Sequence, residues 1–451
     1  MRRRHSVVGP LILILLGALF LAENLQPEWI SFRMIALYWP YLLIAWGLLR
    51  LAEILYWKLS AKPVPLKGIS GGEWTLIVFI CLIGAGLYQF HLRAPGLPRI
   101  LTMGKGIEMF GAAYDFPIEE RRSAAKVARI VVENTRGNTR IVGSDTQEVK
   151  VGGRRSIRAF SQSDADQANK LAAVDIAAEG DQLVVRAGPA QWASSDARVS
   201  TDLEITVPRG TSIKTSGRYG DFDVLSIDGA VDITSDNAGV RLQDIGGNVR
   251  VDLRRSDIVR AVNVKGNVDV LGRGDDVEVE NVAGAVTING YYSGDITCRN
   301  LAKPVVFQSG TTDLRIERLP GQFSLTLGDF TGTNLVGPIR VTARSKDVQI
   351  QDFQGEVSVS VERGDLTLAP ARAPSAKIDA TTRSGNVELI LPADAGFQIS
   401  ATTRRGRIES EFPGAVQPTA TGAGAVLKGS VGRGPAVTLT TDRGEISLRK
   451  K

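Results

Sequence analysis

The chain has 451 residues, a formal net charge of +6 and an isoelectric point of about 9.3, and this length predicts more than one structural region. The excess of positive charge belongs to residues 1–99, with ten Lys/Arg and four Asp/Glu, so the rest of the chain carries 44 charges of each sign. This neutrality argues against nucleic acid as a partner, and the two histidines, His5 and His91, are too few and too close to the N-terminus for a histidine metal site or a Ser-His-Asp triad in the larger part.

Three apolar stretches occupy the start of the chain, at residues 7–22, 35–55 and 74–90. Their lengths suit a hydrocarbon core of roughly 30 Å. Trp39 and Trp74 lie at or near the ends of these stretches, where amphipathic rings favour the membrane interface. Residues 1–90 are therefore predicted to form a transmembrane region of three helices, with the lipid bilayer as the first partner.

Basic residues predict the orientation of these spans. Arg2–Arg4 precede the first span, and Lys58, Lys62 and Lys67 lie in the second loop, so both segments are expected in the cytoplasm. An odd number of spans places the C-terminal part outside a multi-pass cytoplasmic (inner) membrane protein. The alternative for the first span is a signal peptide cleaved near Ala22, and this alternative also exports the C-terminal part.

Two segments of this region carry a family resemblance. Gly9–Gly17 (GPLILILLG) and Trp39–Leu48 (WPYLLIAWGL) resemble the two-helix hairpin of the Lia-type transmembrane region. That family belongs to bacterial cell-wall-stress response proteins, so the resemblance implies a place in the cell envelope. The residues also have a purely structural explanation, because the small Gly17 and Gly47 allow close helix packing.

The chain changes character after the third span. Residues 91–126 are rich in Pro and Gly and are predicted to be an extracytoplasmic linker with little structure of its own. From residue 127 apolar and polar residues alternate as in β-strands, and this larger domain is expected to cover 127–451. An Ala-rich stretch at Asp164–Ala173, with Ser163 as its cap, is the one helix expected outside the membrane.

Two series of residues recur with a period of 16 to 19 positions. The first is a glycine flanked by apolar residues, at Gly229, Gly247, Gly266, Gly284, Gly321, Gly337 and Gly355, with Lys303 in the slot between Gly284 and Gly321. The second is an aspartate followed by an apolar residue, at Asp257, Asp276, Asp295, Asp313, Asp329, Asp347 and Asp365. Two series in step indicate one structural unit copied many times.

The repeat predicts an all-β, parallel β-solenoid with about 18 or 19 residues in each coil. Val249, Val251 and Leu253 are an example of alternating residues that point inward. Each coil has room for two short strands or three very short ones. The glycines are expected at a corner where the backbone takes unusual dihedral angles, and the aspartates are expected to cap the opposite corner by accepting backbone N–H hydrogen bonds.

The C-terminal segments carry a second resemblance. Lys428–Gly434 (KGSVGRG) and Val437–Leu448 (VTLTTDRGEISL), together with the step at Val207–Gly210 (VPRG), resemble the putative-adhesin domain family, a bacterial domain of unknown function. The resemblance covers residues 127–451. It implies a β-solenoid outside a membrane, and it supplies no catalytic residues.

Several kinds of chemistry compete with a purely structural role for the repeats. Stacked aspartates could hold calcium, but one carboxylate per coil supplies too few oxygens, so no metal site and no cofactor are predicted. A polysaccharide-cleaving enzyme needs loops that project from the solenoid, and even coils leave no room for them, so no catalytic residues are assigned. Tyr291 and Tyr292 are an aromatic pair that could contact a sugar or pack at a corner. Cys81 and Cys298 are expected to stay unpaired.

These observations favour a membrane-anchored, extracytoplasmic β-solenoid that acts as a non-enzymatic binding or scaffold module in cell-envelope stress sensing or regulation. Its expected partners are a membrane or envelope protein, with a glycan as a further candidate ligand. The alternative function is adhesion to a glycan or a neighbouring surface, and the enzymatic alternative is a polysaccharide-active enzyme.

Overall fold

The computed structural model describes residues 111–123, 127–187, 199–412 and 417–451, and nine helical residues between 44 and 81. The first predicted span, most of the second and third, and the linker up to residue 110 lie outside the described residues. Within the described part, no helix is both long enough and apolar enough to cross a membrane. The chain divides into two compact units, residues 1–113 with 158–165, and residues 114–157 with 166–451.

Apart from those nine helical residues, the described elements are one helix and 32 strands. The helix is α1 (Gln162–Leu171). The first sixteen strands are β1 (Ala112–Ser123), β2 (Arg129–Arg136), β3 (Thr139–Ser144), β4 (Glu148–Ala159), β5 (Val174–Glu179), β6 (Gln182–Ala187), β7 (Val199–Pro208), β8 (Ser212–Tyr219), β9 (Phe222–Ile227), β10 (Val231–Asn237), β11 (Val240–Ile245), β12 (Val249–Leu253), β13 (Ile258–Val264), β14 (Val268–Gly274), β15 (Asp276–Val282) and β16 (Val286–Tyr292). The others are β17 (Ile296–Leu301), β18 (Val305–Gln308), β19 (Thr312–Leu325), β20 (Asp329–Thr333), β21 (Val336–Ser345), β22 (Asp347–Phe353), β23 (Val357–Arg363), β24 (Leu366–Pro370), β25 (Ile378–Ser384), β26 (Val387–Leu391), β27 (Phe397–Arg405), β28 (Ile408–Ser410), β29 (Thr419–Thr421), β30 (Gly424–Val431), β31 (Ala436–Arg443) and β32 (Ile446–Lys450).

The strands of the larger unit form the two walls of a β-solenoid, so each regular coil contributes one strand to each wall. Sheet A has the spatial order β1-β4-β7-β3-β9-β11-β13-β15-β17-β19-β20-β22-β24-β26-β32-β28. Sheet B has the order β5-β6-β2-β8-β10-β12-β14-β16-β18-β19-β21-β23-β25-β31-β27-β30-β29. The all-β, parallel-rich solenoid is confirmed, with two strands in each coil.

Alternating apolar residues of both sheets fill the space between the walls. In sheet B, Val231 is in register with Val249, Val249 with Val268, and Val268 with Val286, and all four are at most 1% exposed. Each buried valine of this kind contributes about 1.5 to 3 kcal/mol relative to an exposed one. A shift by one residue would turn the whole row to solvent, so this row fixes the register of the stacked coils.

One coil runs backwards, and the sequence period did not predict this. After β18 the chain turns at residues 309–311, and the first part of β19 runs antiparallel to β18 in sheet B. The second part of β19 lies in sheet A, antiparallel to β17 and to β20. The chain then resumes its earlier direction, since β20 is parallel to β22, and β21 is parallel to β23. The reversed strand accounts for the contraction of the glycine spacing to 16 residues.

The two ends of the solenoid do not follow the order of the chain. At the N-terminal end, β2 lies between β6 and β8, and β3 lies between β7 and β9. At the C-terminal end, the last two strands insert between earlier ones, since β31 separates β25 from β27, and β32 separates β26 from β28. Phe412 follows β28 and packs edge-on against Phe397 with ring centroids 5.1 Å apart, which covers the core at this end.

Two details before the repeats correct the sequence analysis. β1 lies inside the segment that was expected to be an unstructured linker, and it pairs with β4, so the last part of that linker belongs to sheet A. The expected helix exists as α1, but its cap is Ser161 and not Ser163. The Ser161 hydroxyl accepts a hydrogen bond from the Asp164 backbone N–H at 3.2 Å, which satisfies one of the free N–H groups of the first turn.

Candidate functional site

Six of the seven recurrent glycines lie where strands of sheet A lead into the next strands of sheet B, and Gly321 lies within the reversed strand β19. We name these turns, such as 228–230 and 265–267, the glycine corner. Their predicted reason was wrong for most of them. Of the seven glycines only Gly355 has a left-handed backbone, with φ of 97°. At Gly247 the reason is close approach, because a Cβ atom would lie 2.6 Å from the Gly229 carbonyl oxygen of the preceding coil. Gly266 and Gly284 leave equally little space above their predecessors.

The unusual dihedral angles of this corner lie three residues before the glycine slots, including the slot at Lys303 but not the one at Gly321. No special role was predicted for these positions. The residues share φ values of 51° to 59° and are Ser226, Asp244, Asn263, Asn281, Asn300, Asn334 and Asp352. Asn and Asp tolerate this conformation better than most other residues apart from glycine. Three of them form a ladder of side-chain amides. Asn281 donates to Asn263 Oδ1 at 3.0 Å, and Asn300 donates to Asn281 Oδ1 at 3.1 Å.

The recurrent aspartates lie mainly at the opposite corner, where strands of sheet B lead into strands of sheet A; we name these turns, such as 254–257 and 364–365, the aspartate corner. Asp276 Oδ1 accepts a hydrogen bond from the backbone N–H of Asp295, one coil further on, at 2.9 Å. Asp347 Oδ1 accepts from the Asp365 N–H at 2.8 Å in the same way. Each such bond satisfies a backbone donor that the turn leaves without a ladder partner.

The same corner continues with other acceptors and with its own glycines. Asp365 Oδ1 accepts from the Asn386 N–H at 2.7 Å, and Asn386 Oδ1 accepts from the Glu445 N–H at 2.9 Å. Gly364 and Gly385 have φ of 140° and 152°, so in these coils the left-handed glycine stands next to the aspartate or asparagine. The dipeptides Gly-Asp, Gly-Asn and Gly-Glu were the available sequence signal for this corner.

Not every recurrent aspartate belongs to this corner ladder. Asp313 lies in the reversed strand β19 within sheet B, opposite Gln308 of β18, so its place in the sequence period is not its place in the fold. Asp257 accepts from the N–H of the following residue, Ile258, at 2.9 Å. Asp329 starts β20, and its backbone bonds to Thr326 close the turn that follows β19. Among the described residues, no three His, Cys, Asp or Glu side chains converge as metal ligands.

The reversed strand also creates a concave surface. We name it the hydroxyl groove; it has a volume of about 470 Å³ and crosses the outer face of sheet B beside the aspartate corner. Its end wall is formed by residues 309–313, which are the turn after β18 and the first two residues of β19. Its floor is one hydroxyl-bearing residue on each of four neighbouring strands, Thr342, Ser360, Thr381 and Thr440. These four residues are direct register partners, so the row runs across the strands and along the solenoid.

A charged side chain stands two residues after each member of the hydroxyl row. These residues are Arg344, Glu362, Arg383 and Asp442, so the sign of the charge alternates from strand to strand. Asp442 forms an ion pair with Arg404 at 3.3 Å. Arg344, Glu362 and Arg383 make no side-chain hydrogen bond or ion pair with any residue that the structure describes, and all three are exposed. The groove therefore presents donors and acceptors that its own strands do not use.

Sequence reasoning missed this groove although a signal was present. A hydroxyl residue, any residue and a charged residue recur at 342–344, 360–362, 381–383 and 440–442. The intervening residues point inward. Thr382 and Thr441 are at most 1% exposed and donate to the carbonyl oxygens of Gly364 and Gly385 at 3.1 and 2.9 Å. The buried threonines thus hold the corners, and the outer row remains available to a ligand.

Three other residues from the sequence analysis can be placed. Tyr291 is exposed whereas Tyr292 is 7% exposed, so the aromatic pair does not form one exposed surface. Burial raises the pKa of the Tyr292 hydroxyl. Cys298 is fully buried with a free thiol, and burial raises the pKa of that thiol, which makes it a core residue and not a reactive one.

The chain matches several solved structures at low identity and low TM-score. A "putative cell adhesion protein" from Clostridium sporogenes is 11% identical, with 74% of this chain and 100% of that chain covered and a TM-score of 0.20. A "putative adhesin" from Bacteroides fragilis is 11% identical over 74% and 97%, with a TM-score of 0.18. A "putative lipid binding protein" from Parabacteroides distasonis is 10% identical over 74% and 96%, with a TM-score of 0.23. At these TM-scores the similarity supports no statement about function, and a search of curated proteins gives no match.

Two family models match the chain, one in each predicted part. Residues 7–51 match the LiaI-LiaF-like transmembrane region, which confirms the resemblance of the N-terminal hairpin. Residues 127–449 match the model described as Toastrack DUF4097, and this match covers more than two thirds of the chain. With its parallel-rich, all-β solenoid, the chain belongs to the toastrack DUF4097 family.

Proposed function

We propose that this protein is a membrane-anchored, extracytoplasmic binding or scaffold module that acts without catalysis in cell-envelope stress sensing or regulation. The observation that carries the proposal is the hydroxyl groove, in which exposed charged and hydroxyl side chains lie on a solenoid wall fixed by its core. Preformed polar groups on a rigid scaffold are typical of a binding surface. The match of residues 7–51 to a transmembrane region supports the anchor.

The apolar stretches and the positive charges around them support the proposal of three helical spans, a cytoplasmic N-terminus and an exported solenoid. A role in envelope stress is supported by the combination of the Lia-type hairpin with the toastrack domain. A membrane or envelope protein is the expected partner for the transmission of a signal.

A complementation experiment in the native host tests the proposal. Deletion of the gene is expected to change the induction of the cell-envelope stress response by a wall-active compound, and the full chain should restore it. A chain with Ser360→Arg, which fills the groove floor from an exposed position, should fail to restore it at equal protein level. An unchanged response in the deletion strain would contradict the role in stress.

The second candidate function is adhesion to a neighbouring surface. It is favoured by the position of the groove on the outer face of sheet B, where a large ligand can approach without passing through a channel. Cells that display the full chain should then attach to a surface that cells with the Ser360→Arg chain do not bind. Equal attachment by both strains would exclude the groove as an adhesive surface.

A further inference from the structure

We infer that the hydroxyl groove binds a linear, uncharged glycan. The glycan lies along the solenoid axis, with about one sugar unit for each strand spacing. The inference rests on the proposed binding function and assigns its ligand class and its site. Four features of the groove support this inference. They are the spacing of the hydroxyl row, the alternation of charge, the polar lining, and the floor strands, whose backbone groups are already paired.

The spacing of the row suits a polymer with a short polar repeat. Thr342, Ser360, Thr381 and Thr440 lie on successive strands in direct register. Successive strands are about 4.8 Å apart, which is close to the length of a pyranose unit. A chain of sugars along the axis therefore meets an equivalent hydroxyl at each step, and a side-chain hydroxyl can both donate to and accept from a sugar hydroxyl.

The charges of the groove argue against a charged polymer. Arg344 and Arg383 stand on either side of Glu362, and Asp313 and Asp442 lie near the two ends of the row. Two arginines would attract a polyanion, but three carboxylates would repel it. A polycation would be repelled by the arginines. A neutral sugar uses both kinds of group, because guanidinium groups donate to its oxygens and carboxylates accept from its hydroxyls.

The lining and the backbone argue against two other ligands. The groove is lined mainly by hydroxyl and charged residues, whereas pockets for apolar small molecules are lined mostly by apolar and aromatic side chains. A peptide that binds by strand addition needs a free sheet edge. Here the floor strands β21, β23 and β25 each pair with a neighbour on both sides, so their backbone groups are already used.

Isothermal titration of the full-length protein with neutral oligosaccharides of several linkages and increasing length tests the inference. Affinity should rise with length until the sugar chain spans the four strands of the row, and should then level off. Replacing two hydroxyls by methyl groups, in the double variant Thr381→Val and Thr440→Val, should weaken binding by about tenfold or more. Valine is β-branched like threonine, so the strands should keep their structure.

The matched control is Thr367→Val, which removes a half-buried hydroxyl from the other wall, on β24 in sheet A, and should bind as the unchanged protein does. Equal binding by the double variant would place the site elsewhere. Binding of alginate or chitosan oligosaccharides alone would overturn the uncharged class. No binding of any glycan would overturn this inference and leave the proposed function to the complementation result.

The same titration distinguishes binding from cleavage. Glu362 and Asp442 lie two strand spacings apart, about 10 Å, near the separation of the carboxyl pair in inverting glycosidases. The recovered sugar is expected to have its original length, because the proposed function is binding without catalysis. Shortened products that disappear in Glu362→Gln would confirm the glycan class and would contradict the non-catalytic part of the proposed function.

Discussion

Glycines at the aspartate corner combine a left-handed backbone with close contact between coils. Gly385 has φ of 152°, and a Cβ atom on it would overlap the carbonyl group of Gly364. Gly385→Ala should therefore lower the free energy of unfolding by about 2 to 4 kcal/mol, measured by urea unfolding of the purified protein. Gly210→Ala is the control, because a Cβ atom on Gly210 meets no atom within 4 Å. A change of less than about 0.5 kcal/mol in Gly385→Ala would refute the steric explanation.

The amide ladder at the glycine corner makes a second prediction at the level of single residues. Asn281 has φ of 55° and bonds to Asn263 on one side and to Asn300 on the other. Asn281→Ala should cost about 1 to 2 kcal/mol of unfolding free energy, because it loses both bonds and strains the backbone. Asn281→Gly loses the bonds but relieves the strain, so its midpoint in urea should lie between those of Asn281→Ala and the unchanged protein. A midpoint below that of Asn281→Ala would show that the backbone conformation contributes nothing.

The glycine period shows how far single residues can be predicted from sequence. Spacing alone located the corner, because a solenoid must turn at equal intervals. The physical reason at Gly266 was not accessible, since close approach involves Gly247 of another coil, and the sequence does not state how coils stack. The residues with a left-handed backbone could have been predicted from the sequence. Asn263, Asn281 and Asn300 recur with the same period as the glycines, and asparagine is one of the residue types that best tolerate this conformation.

At the scale of elements, β19 is the part that the period could not predict. Asp313 keeps the apparent register of its series, because an antiparallel strand can present the same alternation of polar and apolar residues as a parallel one. Periodicity therefore fixes where strands occur and leaves their direction open. The hydroxyl groove depends on that direction, since its end wall is residues 309–313, at the turn into the reversed strand. The even length of the coils had argued only against loops that project from the solenoid.

A buried lysine holds the second turn of the reversed strand. Lys346 is 7% exposed, and its ammonium group donates to the carbonyl oxygens of Thr326 and Leu327 between β19 and β20. Lys346→Met leaves both carbonyls without this donor, so the unfolding free energy at neutral pH should fall by about 1 to 3 kcal/mol. Lys377→Met, at an exposed lysine, should change it little. An equal loss in both variants in urea would show that the turn does not depend on Lys346.

The same lysine predicts a pH dependence. Burial lowers the pKa of Lys346 from its ordinary value of 10.5, although the nearby Asp329 carboxylate opposes this. Just below pH 10.5 the unfolded chain then binds more protons at this site than the folded chain, so this site makes the unfolding free energy rise with pH there. The rise should be smaller in Lys346→Met than in the unchanged protein when urea unfolding is repeated from about pH 8 upward. Parallel curves would contradict the lowered pKa.

At the scale of the whole molecule, the net charge is distributed unevenly between the N-terminal region and the rest of the chain. Residues 1–99 carry the full excess of six positive charges, and the remainder is balanced. Balance in the solenoid is achieved locally, as at Arg241, whose guanidinium group lies 3.2 Å from Asp221 and 3.6 Å from Asp223. Hydrogen bonding to Asp221 raises the pKa of Arg241 further. Long-range attraction of a polyanion thus has no source in the solenoid, whereas the N-terminal charges are available to orient a membrane segment.

Enzyme fusions test the proposed orientation of the chain in the membrane. Alkaline phosphatase is active only outside the cytoplasm, so fusion after Lys451 should give active enzyme and fusion after Lys62 should give inactive enzyme, because positive charge retains the second loop inside. A fusion after Lys451 that lacks residues 1–90 is the control and should be inactive. The opposite pattern of activity would reverse the topology and would place the hydroxyl groove inside the cell. It would then remove extracellular glycans from its ligands while leaving the fold unchanged.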